Sequence, residues 1–540
     1  MRSQFRIVEL FSGIGSQAQA LRNIGAIINV VATCEWDIHA IVAYDAIHNR
    51  TDKIEPEFVD LNSDQLNEKL FSFSVSADGK KQMSRSQVNE ISNDCKRRIL
   101  SAIKRTNNYV NIQKVKGTDF PAKIDIMTYS FPCQDLSNVG ALHGYKNGIA
   151  RNAGNRSCML WEVERLLKER KEIGMQLPKF LVMENVPALL SKRHRGNFEE
   201  WINVLSELGY HSKYFCLNAF HFGCPQNRYR LIMISIYIGN RKEIASRLDD
   251  YYKTHNLECP EYQKSLNIKR TSLLSCLHLD YTVEQYYLEG LQCQPNDTPS
   301  REKIWNDNLK IVGANNNLLT DHVATITTKQ DRHPNSGNIF FNPPNTKSRY
   351  RFLTPRECFQ IMGFREEDYS FLVSHDCNPN PKYTLFSRDK VHRLAGNSIP
   401  VKLLESIFCM ILDIHNKGLA RIYTSSKKSG NIKEVLREMG IRFKMFDSSL
   451  PGTPDFAIYK TRTIIQVRDC VMHHHEQCTS LVYSSVRRNF APKLIKRNIK
   501  QDSDIDSKLR SMGWNVVVLW KCEIENGTYI EKITNAMISP

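Results

Sequence analysis

Short apolar runs that end in polar residues divide the first 240 residues into predicted strands. The runs are RIVELF (6–11), AIINVVATCEW (26–36), KIDIMTYSF (123–131), KFLVMENVPALL (179–190) and LIMISIYI (231–238). A glycine-containing turn, SGIGS (12–16), follows the first run, and a helical pattern begins near Gln17. This strand, turn and helix predict the first unit of a doubly wound α/β sheet.

Two stretches depart from that pattern. Residues 62–118 are polar and charged, and they predict a helical, partly exposed insertion. The polar segment IYTSSKKSGN (422–431) is typical of a linker, and strand-like and helix-like runs resume after it. Those runs are NIKEVLREMGIRF (431–443), which predicts a helix, LPGTPDFAIYKTRTIIQV (450–467), which predicts two strands, and NVVVLWKC (515–522), which predicts another strand. We therefore expect a separate C-terminal domain over residues 431–540.

The composition agrees with a globular protein of two to four domains, since the chain has 540 residues, of which 41% are hydrophobic and 24% charged. No run of 18 or more apolar residues appears, so we expect no membrane span. The N-terminus has no secretory apolar region, which favours a cytosolic protein. In that setting the 15 Cys are expected to be reduced thiols, metal ligands or a nucleophile rather than disulfides.

The charge favours a polyanionic partner. Lys plus Arg is 74 and Asp plus Glu is 57, which gives a net charge of +17. Nucleic acid is the partner that such an excess indicates. On charge alone, a basic soluble protein with no such partner is equally favoured.

Chemically useful side chains fall at or beside the predicted strand ends, where parallel α/β sheets place their working residues. Glu35 ends the second run, and such a carboxylate commonly binds ribose hydroxyls. Cys133 and Glu184 end later runs, and QNRYR (226–230) stands beside another. The alternatives are a buried structural thiol for Cys133, a buried salt-bridge partner for Glu184 and a surface charge for Arg228.

Five motifs in order carry a resemblance to a known family. FSGIGS, PCQ, ENV, QNRYR and LAGNSIPV (394–401) resemble those of the DNA cytosine-5 methyltransferases, including their tRNA-modifying branch. The resemblance covers residues 5–418, and TYSFPCQDLS (128–137) is similar to bacterial members, some of which methylate CG. It implies a Rossmann-like, S-adenosylmethionine-dependent methyltransferase with an inserted target-recognition domain.

The resemblance also implies domain bounds. The catalytic domain is expected at 1–244 and 346–420, with LTPRECFQIMGF (353–364) in its returning part. The target-recognition domain is expected at 245–345, and a linker at 421–430. The polar stretch TTKQDRHPNSGN (327–338) has the character of a base-reading segment.

The family's chemistry explains a Cys at the end of an apolar run. A thiolate that adds to carbon 6 of cytosine makes carbon 5 nucleophilic enough to take a methyl group. The resemblance assigns that thiolate to Cys133. It assigns the hydrogen bonds to the ring nitrogen and amine to Glu184, with a raised pKa, and the bond to the cytosine carbonyl to Arg228. Arg230 is the second arginine of this catalytic set.

The same resemblance implies the cofactor site. Phe11, Gly13 and Gly15 are expected around the methionine part of S-adenosylmethionine, Glu35 on its ribose and Trp36 on its adenine. The remaining implied residues are Asp119 on the adenine amine, with Asp60 as its competitor, and Asn397 and Ser398 in the segment that closes over the cofactor. Core packing is the alternative role for Trp36.

A target base inside duplex DNA is inaccessible, so enzymes of this kind flip it out of the stack. SNVGALHGYKNGIARNAGNRS (137–157), directly after Cys133, resembles the mobile loop that closes on the flipped base. An ordinary surface loop is the alternative.

The C-terminal domain resembles a second family. SLPGTPDF, DCVMHHH and MGWNVVVLWKC are similar to the very short patch repair endonucleases, which have a PD-(D/E)xK-like fold and nick T·G mismatches. The resemblance places catalytic magnesium on Asp455 and active-site roles on His473. Asn498 and Asp502 match polar residues near that site.

A structural zinc is implied in the same domain. Cys470, His475 and Cys522 match three ligands, and Cys478, one position late, is expected to be the fourth. The chain departs from the family where a Thr-His pair is expected, because Val467-Arg468 stands there. QVR is instead similar to a Q-x-R version of the E-x-K half of the wider nuclease motif, with Arg468 as a candidate nuclease residue. A restriction-type or inactive nuclease therefore stays open.

We thus expect a monomeric enzyme of bacterial type, cytoplasmic and nucleoid-associated through double-stranded DNA, with no membrane partner. Restriction-modification and DNA repair are the processes that its two halves indicate. A tRNA methyltransferase is disfavoured by the nuclease-like tail and the large recognition insert. A DNA-binding protein with an inactive transferase is disfavoured by the intact Cys133, Glu184 and Arg228.

Overall fold

Six strands form the main sheet of the first of two compact units, Gln4–Arg421. The structure is a computed structural model that describes residues 4–132, 149, 151, 156–239, 241–381, 383–417, 432–468, 470, 475, 492–526 and 528–538. The six strands are β1 (Phe5–Leu10), β2 (Ile28–Cys34), β3 (Ile126–Tyr129), β4 (Phe180–Asn185), β5 (Tyr210–Asn218) and β6 (Tyr229–Tyr237). Their order in the sheet is β2-β1-β3-β4-β6-β5.

The direction of the strands decides which residues share an edge. β2, β1, β3 and β4 run parallel, whereas β6 runs antiparallel to β4 and to β5. The beginning of β6 therefore lies at the same edge as the carboxyl ends of the parallel strands. Glu184 of β4 is opposite Ile232, and Asn185 is opposite Leu231. The side chains just before Leu231 are thus brought to the end of β4.

Helices cover both faces of this sheet, as expected for a doubly wound fold. The described helices of the unit are Ser16–Asn23, Ile38–Asn49, Pro56–Val59, Ser63–Ser72, Arg85–Asn89, Asn93–Arg105, Leu160–Glu172, Arg195–Leu208, Lys242–Thr254, Pro260–Ser265, Glu284–Gln292, Pro299–Asp307, Pro355–Ile361, Glu366–Ser374, Arg388–Asn397 and Val401–Asn416. Short 3-10 turns are Arg156–Met159, Pro187–Leu190, Ala219–Phe222 and Leu274–Cys276. Successive residues of a strand face opposite sides of the sheet, so the fully buried Ile7 and Val8 pack into two different hydrophobic cores.

A second, small sheet lies within residues 310–352. It consists of β7 (Lys310–Val312), β8 (Asn338–Phe340) and β9 (Tyr350–Phe352), in that order. A buried ion pair joins this sheet to the next helix, because Arg351 of β9 donates twice to the carboxylate of Glu357 over 2.8 Å. The sheet falls inside the range expected for target recognition, except for its last strand.

One disulfide corrects the expectation that the cysteines are not paired with each other. Cys95 and Cys377 are joined, with their Cα atoms 5.8 Å apart. They meet because the chain around Pro379 docks on the start of the helix Asn93–Arg105. Ser92 donates its backbone N–H to the Pro379 carbonyl over 2.6 Å and its hydroxyl to the Asn378 carbonyl over 2.7 Å.

Among the described residues, one stretch, Arg388–Asn416, has the length and composition to cross a membrane. In the structure it is two helices, Arg388–Asn397 and Val401–Asn416. Its apolar window is 67% buried inside the fold, as in a core helix.

The second compact unit is Ile422–Pro540, and a four-stranded sheet organises it. Its strands, in sheet order, are β10 (Lys444–Met445), β11 (Phe456–Ile458), β12 (Thr463–Arg468) and β13 (Asn515–Trp520). β12 and β13 pair in parallel, and the other neighbours pair antiparallel. Its described helices are Ile432–Glu438, Pro492–Ser511, Lys521–Asn526 and Tyr529–Ile538.

Candidate functional site

The glycine-rich turn after β1 has the backbone of a ligand-binding loop. Phe11 and Gly13 have φ near +55°, and Gly15 has φ of 78°, just before the helix Ser16–Asn23. A Cβ on Gly15 would lie 2.1 Å from His48 Nε2, so only glycine fits there. A Cβ on Gly13 would meet nothing within 4 Å. The turn is therefore held tightly on one side and leaves space beside Gly13.

Glu35, one residue after β2, is tied to that turn. One of its carboxylate oxygens accepts a hydrogen bond from the Gly13 N–H over 3.0 Å, and the other accepts from Trp36 and Asp37 N–H over 2.9 Å. Burial and the charge of Asp37 raise the Glu35 pKa to about 7. Each carboxylate oxygen has two acceptor sites, so the oxygen on Gly13 keeps capacity for a ribose hydroxyl.

Asn108 is a site residue that sequence reasoning missed. Its side chain accepts from the Glu35 N–H over 3.0 Å and donates to the Glu35 carbonyl over 2.9 Å. Asn108 also forms a parallel bridge with Thr33, so it extends the sheet beyond β2. Part of the predicted insertion thus lies at the edge of the main sheet, beside Glu35. The weak apolar pattern of this short segment, TNNYVNI (106–112), offered little signal for a strand.

The residues expected on adenine lie apart from these contacts. Asp119 is exposed, and its carboxylate accepts from the Lys116 N–H over 2.8 Å. Asp60 is exposed at the end of a short helix. Trp36 is half-buried and packs against the core, so part of its surface remains open.

The GNS segment, residues 396–398, packs against the glycine-rich turn. Ser398 Oγ lies 2.6 Å from Ser16 Oγ, and the Ile399 N–H donates to the same Ser16 oxygen over 3.3 Å. Asn397 is exposed in the last turn of its helix. Residues about 380 positions apart in the chain are therefore joined beside Gly15, which Ser16 directly follows.

Cys133 and most of the loop 137–157 lie outside the described residues, but the approach to Cys133 is defined. Asn185 donates its side-chain amide to the Phe131 carbonyl over 3.1 Å, and Ser157 donates to the Pro132 carbonyl over 2.8 Å. Phe131 is buried. The strand end that leads into Cys133 is thus fixed against the ENV segment of β4.

Glu184 and Arg230 form an ion pair at the shared edge of the sheet. Arg230 Nε lies 2.9 Å from Glu184 Oε1, and each side chain is only 12% exposed. Burial raises the Glu184 pKa, while the charges of Arg230 and Arg228 and a hydrogen bond from Ser130 oppose the shift. A buried carboxyl with a raised pKa and an adjacent cation is a common feature of catalytic sites.

Arg228, which the resemblance assigns to the cytosine carbonyl, is held by contacts with the backbone. Its buried guanidinium donates to the backbone carbonyls of Ile326 over 2.6 Å and of Gly396 and Ser398 over 2.9 Å. These contacts tie Arg228 to two neighbouring chain segments, and its charge also acts on Glu184. The motif QNRYR predicts that both arginines lie near the site, and their contacts distinguish them.

The polar stretch 327–338 divides into buried and exposed side chains. Gln330, Asn335 and Asn338 are buried and hydrogen-bond within the segment or to its neighbours. Lys329 and Arg332 are exposed. The exposed cations are available to a partner, whereas the buried amides shape the segment.

In the second unit, Asp455 stands against the end of β12. One of its carboxylate oxygens accepts from the Val467 N–H over 2.7 Å. The next residue, Arg468, is buried and donates to Asp506 over 2.6 Å, and its Nε lies 3.5 Å from Asp502. Asn498 lies in the same helix as these two carboxylates and is half-buried. Where the repair endonucleases are expected to have a histidine, this chain thus has an arginine paired with carboxylates.

Three of the four expected zinc ligands come together. The ligand atoms of Cys470, His475 and Cys522 all lie within 4.8 Å of one another, and Cys522 Sγ is 3.3 Å from His475 Nδ1. Trp520 stacks on the His475 ring at 4.4 Å. Two sulfurs and an imidazole nitrogen suit zinc. Cys478 and His473 lie outside the described residues.

Comparison with known proteins finds a family match for each of the two parts of the chain. The family model for the C-5 cytosine-specific DNA methylase matches residues 5–78 and 79–413, and that for the DNA mismatch endonuclease Vsr matches residues 416–479. The type II methyltransferase M2.ScrFI of Lactococcus lactis subsp. cremoris is 30% identical over 406 residues, which cover 75% of this chain and 98% of that protein. These matches confirm the resemblances found in the sequence.

Two further relatives extend the comparison. The orphan methyltransferase M.SssI of Spiroplasma monobiae is 36% identical over 235 residues, which cover 43% of this chain and 59% of that protein. The crystal structure of the S. pombe Dnmt2 methyltransferase aligns with 76% of this chain and 100% of its own, at 16% identity and a TM-score of 0.45. Because the first family model spans most of the sequence, the chain belongs to the C-5 cytosine-specific DNA methylases, which are S-adenosylmethionine-dependent enzymes, and it carries a Vsr-like C-terminal domain.

Proposed function

We propose that the protein is a monomeric, site-specific methyltransferase that flips a cytosine out of duplex DNA and attacks it with Cys133. The observation that carries the proposal is the buried pair of Glu184 and Arg230 beside the fixed strand end that leads into Cys133. A carboxyl and a guanidinium at this spacing offer donors and an acceptor to the polar edge of a pyrimidine.

The reaction follows from the electron demand of the base. The Cys133 thiolate forms a bond to carbon 6, and the electron pair of the carbon 5–carbon 6 double bond shifts into the ring, which makes carbon 5 nucleophilic. When bound, S-adenosylmethionine supplies an electrophilic methyl group. Once carbon 5 carries the methyl, loss of its proton to a base reforms the double bond and breaks the carbon 6–sulfur bond. Cys133 is thereby returned as a thiolate.

Glu184 and Arg230 stabilise the ring while it carries extra electrons. A raised pKa favours the protonated form of the Glu184 carboxyl, which can share its proton with ring nitrogen 3. We assign the cytosine carbonyl to Arg230 instead of Arg228, because Arg230 contacts Glu184 and Arg228 contacts three backbone carbonyls. A guanidinium beside that oxygen stabilises developing negative charge.

The cofactor would lie between the glycine-rich turn and Glu35. Gly13 leaves the space, and Glu35 has an acceptor site for the ribose. Trp36 has an open face for the adenine ring. The described contacts support a place for Asn108 in holding Glu35, whereas the described bond of the Asp119 carboxylate is to Lys116.

Methyl transfer to defined substrates tests this function. The protein is incubated with labelled cofactor and either a plasmid library or a tRNA pool. We expect label in DNA, on carbon 5 of cytosine, within a fixed sequence context. Label in tRNA alone would replace DNA as the substrate, and no label in either would leave a DNA-binding protein with an inactive transferase.

For the tail, we propose a zinc-stabilised, Vsr-like domain that cleaves DNA in a magnesium-dependent reaction. The cluster of Cys470, His475 and Cys522 supports the zinc, with Cys478 as the fourth ligand. Asp455 is the candidate magnesium ligand. Nicking at T·G mismatches would suit an enzyme whose partner domain makes the base that deaminates to thymine.

The position of Arg468 limits this second proposal. An arginine stays protonated at neutral pH, so it does not serve as a general base. His473 is then the candidate for that role. Incubation of the full chain with magnesium and T·G-mismatched, methylated or unmodified duplexes distinguishes repair from restriction, and absence of cleavage of all three indicates an inactive domain.

A further inference from the structure

Arg228 stands at the junction of three chain segments in the first unit. It directly precedes β6, and its side chain is buried. Its guanidinium donates to Ile326, in the predicted recognition domain, and to Gly396 and Ser398, in the segment that closes the cofactor site. One buried cation thus binds both the recognition side and the cofactor side of the unit.

The segment 323–326, which leads into the predicted base-reading stretch, is hydrogen-bonded closely to residues 226–227. Gln226 forms a bridge with Val323, and its side-chain oxygen accepts from the Ile326 N–H over 2.9 Å. Asn227 donates its N–H to the Val323 carbonyl over 2.8 Å, and its own carbonyl accepts from the Thr325 hydroxyl over 2.9 Å. The chain that leads into the polar stretch 327–338 therefore moves with the start of β6.

The recognition and cofactor segments also touch each other directly. A Cβ on Gly396 would lie 2.5 Å from the Thr327 carbonyl carbon and 2.6 Å from the Thr328 nitrogen. On the far side, Ser398 contacts Ser16 beside the glycine-rich turn. Backbone contact on one face and a hydrogen bond to the cofactor turn on the other leave the GNS segment little freedom to move alone.

We propose that Arg228 is a positioning residue that couples cofactor binding to DNA binding, by holding the GNS segment and the recognition segment in one arrangement. The proposal rests on the proposed function, since it takes S-adenosylmethionine and DNA as the two ligands. An arginine suits this role because its planar group presents five donors, whereas a lysine ammonium has three and no fixed plane. Order imposed on the GNS segment by the cofactor reaches the recognition segment through these shared carbonyl contacts.

Coupling of this kind is reciprocal and measurable. If the cofactor tightens DNA binding by some factor, DNA tightens cofactor binding by the same factor, and factors of about 5 to 150 are typical. The probes are S-adenosylhomocysteine, which cannot donate a methyl group, and a duplex that the wild-type protein methylates. Four dissociation constants, each ligand alone and in the presence of the other, give the factor for each full-length variant.

We expect the factor to fall to near one in Arg228→Lys, while the affinity for each ligand alone stays within about threefold. A lysine has one nitrogen in place of the two separate nitrogens that bind Ile326 on one side and Gly396 and Ser398 on the other. Gly396→Ala should lower the factor as well, since the added methyl separates the two backbones. Arg195→Lys, on an exposed helix surface, is the matched control and should keep the wild-type factor.

The outcomes separate the alternatives. An unchanged factor in Arg228→Lys overturns the coupling role, and a slower chemical step at saturating ligands with an unchanged factor would make Arg228 a substrate contact. If Arg228→Lys does not fold, an unchanged factor in Gly396→Ala overturns the proposal. A wild-type protein that methylates DNA with no coupling refutes only this inference, whereas a protein that methylates no DNA refutes the proposed function.

Discussion

The Nε atom of Arg230 lies 2.9 Å from Oε1 of Glu184. The two side chains meet because β6 runs antiparallel to β4, which places the first residues of β6 beside the last residues of β4. Burial raises the Glu184 pKa and the charge of Arg230 opposes that shift. The arginine therefore limits how far the carboxyl is shifted, and the pH range in which Glu184 is protonated depends on it.

Removal of the Arg230 charge should shift the Glu184 pKa in a known direction. In Arg230→Gln the opposing charge is lost, so the Glu184 pKa rises further and the carboxyl stays protonated to higher pH. We expect the alkaline limb of kcat/KM to move to higher pH, together with a loss of rate of about 10²-fold or more from the missing cation. A limb that stays in place, or moves to lower pH, would contradict the assignment. Arg195→Gln is the surface control.

Cys133→Ser tests the nucleophile. A hydroxyl has no available alkoxide at neutral pH, so we expect methyl transfer to be abolished while DNA binding persists. In the wild-type protein, DNA with 5-fluorocytosine should form an adduct that survives denaturation, because fluorine cannot leave as a proton. Cys216→Ser, a change at a half-buried cysteine on β5, should keep both activities. Methylation by the Cys133→Ser variant, or no adduct with the wild type, would remove Cys133 from this role.

The sequence predicted the parts of the fold that depend on local pattern. The strands that contain Glu184 and precede Glu35 lie where the apolar runs and strand-end chemistry indicated. The glycine-rich turn was predictable because Gly13 and Gly15 must adopt positive φ. These features can be predicted because they depend only on residues that are close in the sequence.

The features that the sequence did not predict depend on contacts between distant residues. Asn108 reaches Glu35 across 73 positions, and Cys95 meets Cys377 across 282. Arg230 pairs with Glu184, whereas Arg228 donates to the carbonyls of Ile326, Gly396 and Ser398, and the motif QNRYR alone does not predict this difference. Topology, rather than composition or spacing, decides each of them.

The raised pKa of Glu35 predicts a pH-dependent cofactor affinity. Burial raises the Glu35 pKa to about 7, and the ionised carboxylate is the stronger acceptor for a ribose hydroxyl at the oxygen that also binds Gly13. Affinity for S-adenosylhomocysteine should therefore fall as pH drops from about 8 to about 6, by roughly tenfold per pH unit below the pKa if ionisation is required. Calorimetry across this range measures it. Glu35→Gln should bind more weakly and without that slope, and an identical slope in the variant would assign it to another group.

The cysteine and histidine cluster predicts one zinc per chain in the Vsr-like domain. Cys522→Ser removes one thiolate, so we expect zinc content to fall well below one per chain and the tail to unfold at a lower temperature. Elemental analysis and calorimetry of the full chain measure both. Cys409→Ser, at an exposed position in the first unit, should keep the zinc. A wild-type protein without zinc would refute the site.

The final prediction is that DNA cleavage by the Vsr-like domain depends on Asp455. Asp455→Asn keeps an oxygen that can accept from the Val467 N–H, so the fold should survive, but it removes the negative charge that binds magnesium. We expect magnesium-dependent nicking to drop by about 10²-fold or more, while methyl transfer is unchanged. Asp504→Asn, on the exposed face of the helix Pro492–Ser511, is the matched control. Nicking that persists in Asp455→Asn would assign the metal to other residues. Nicking of T·G mismatches would favour repair, whereas cleavage of unmodified DNA alone would favour restriction.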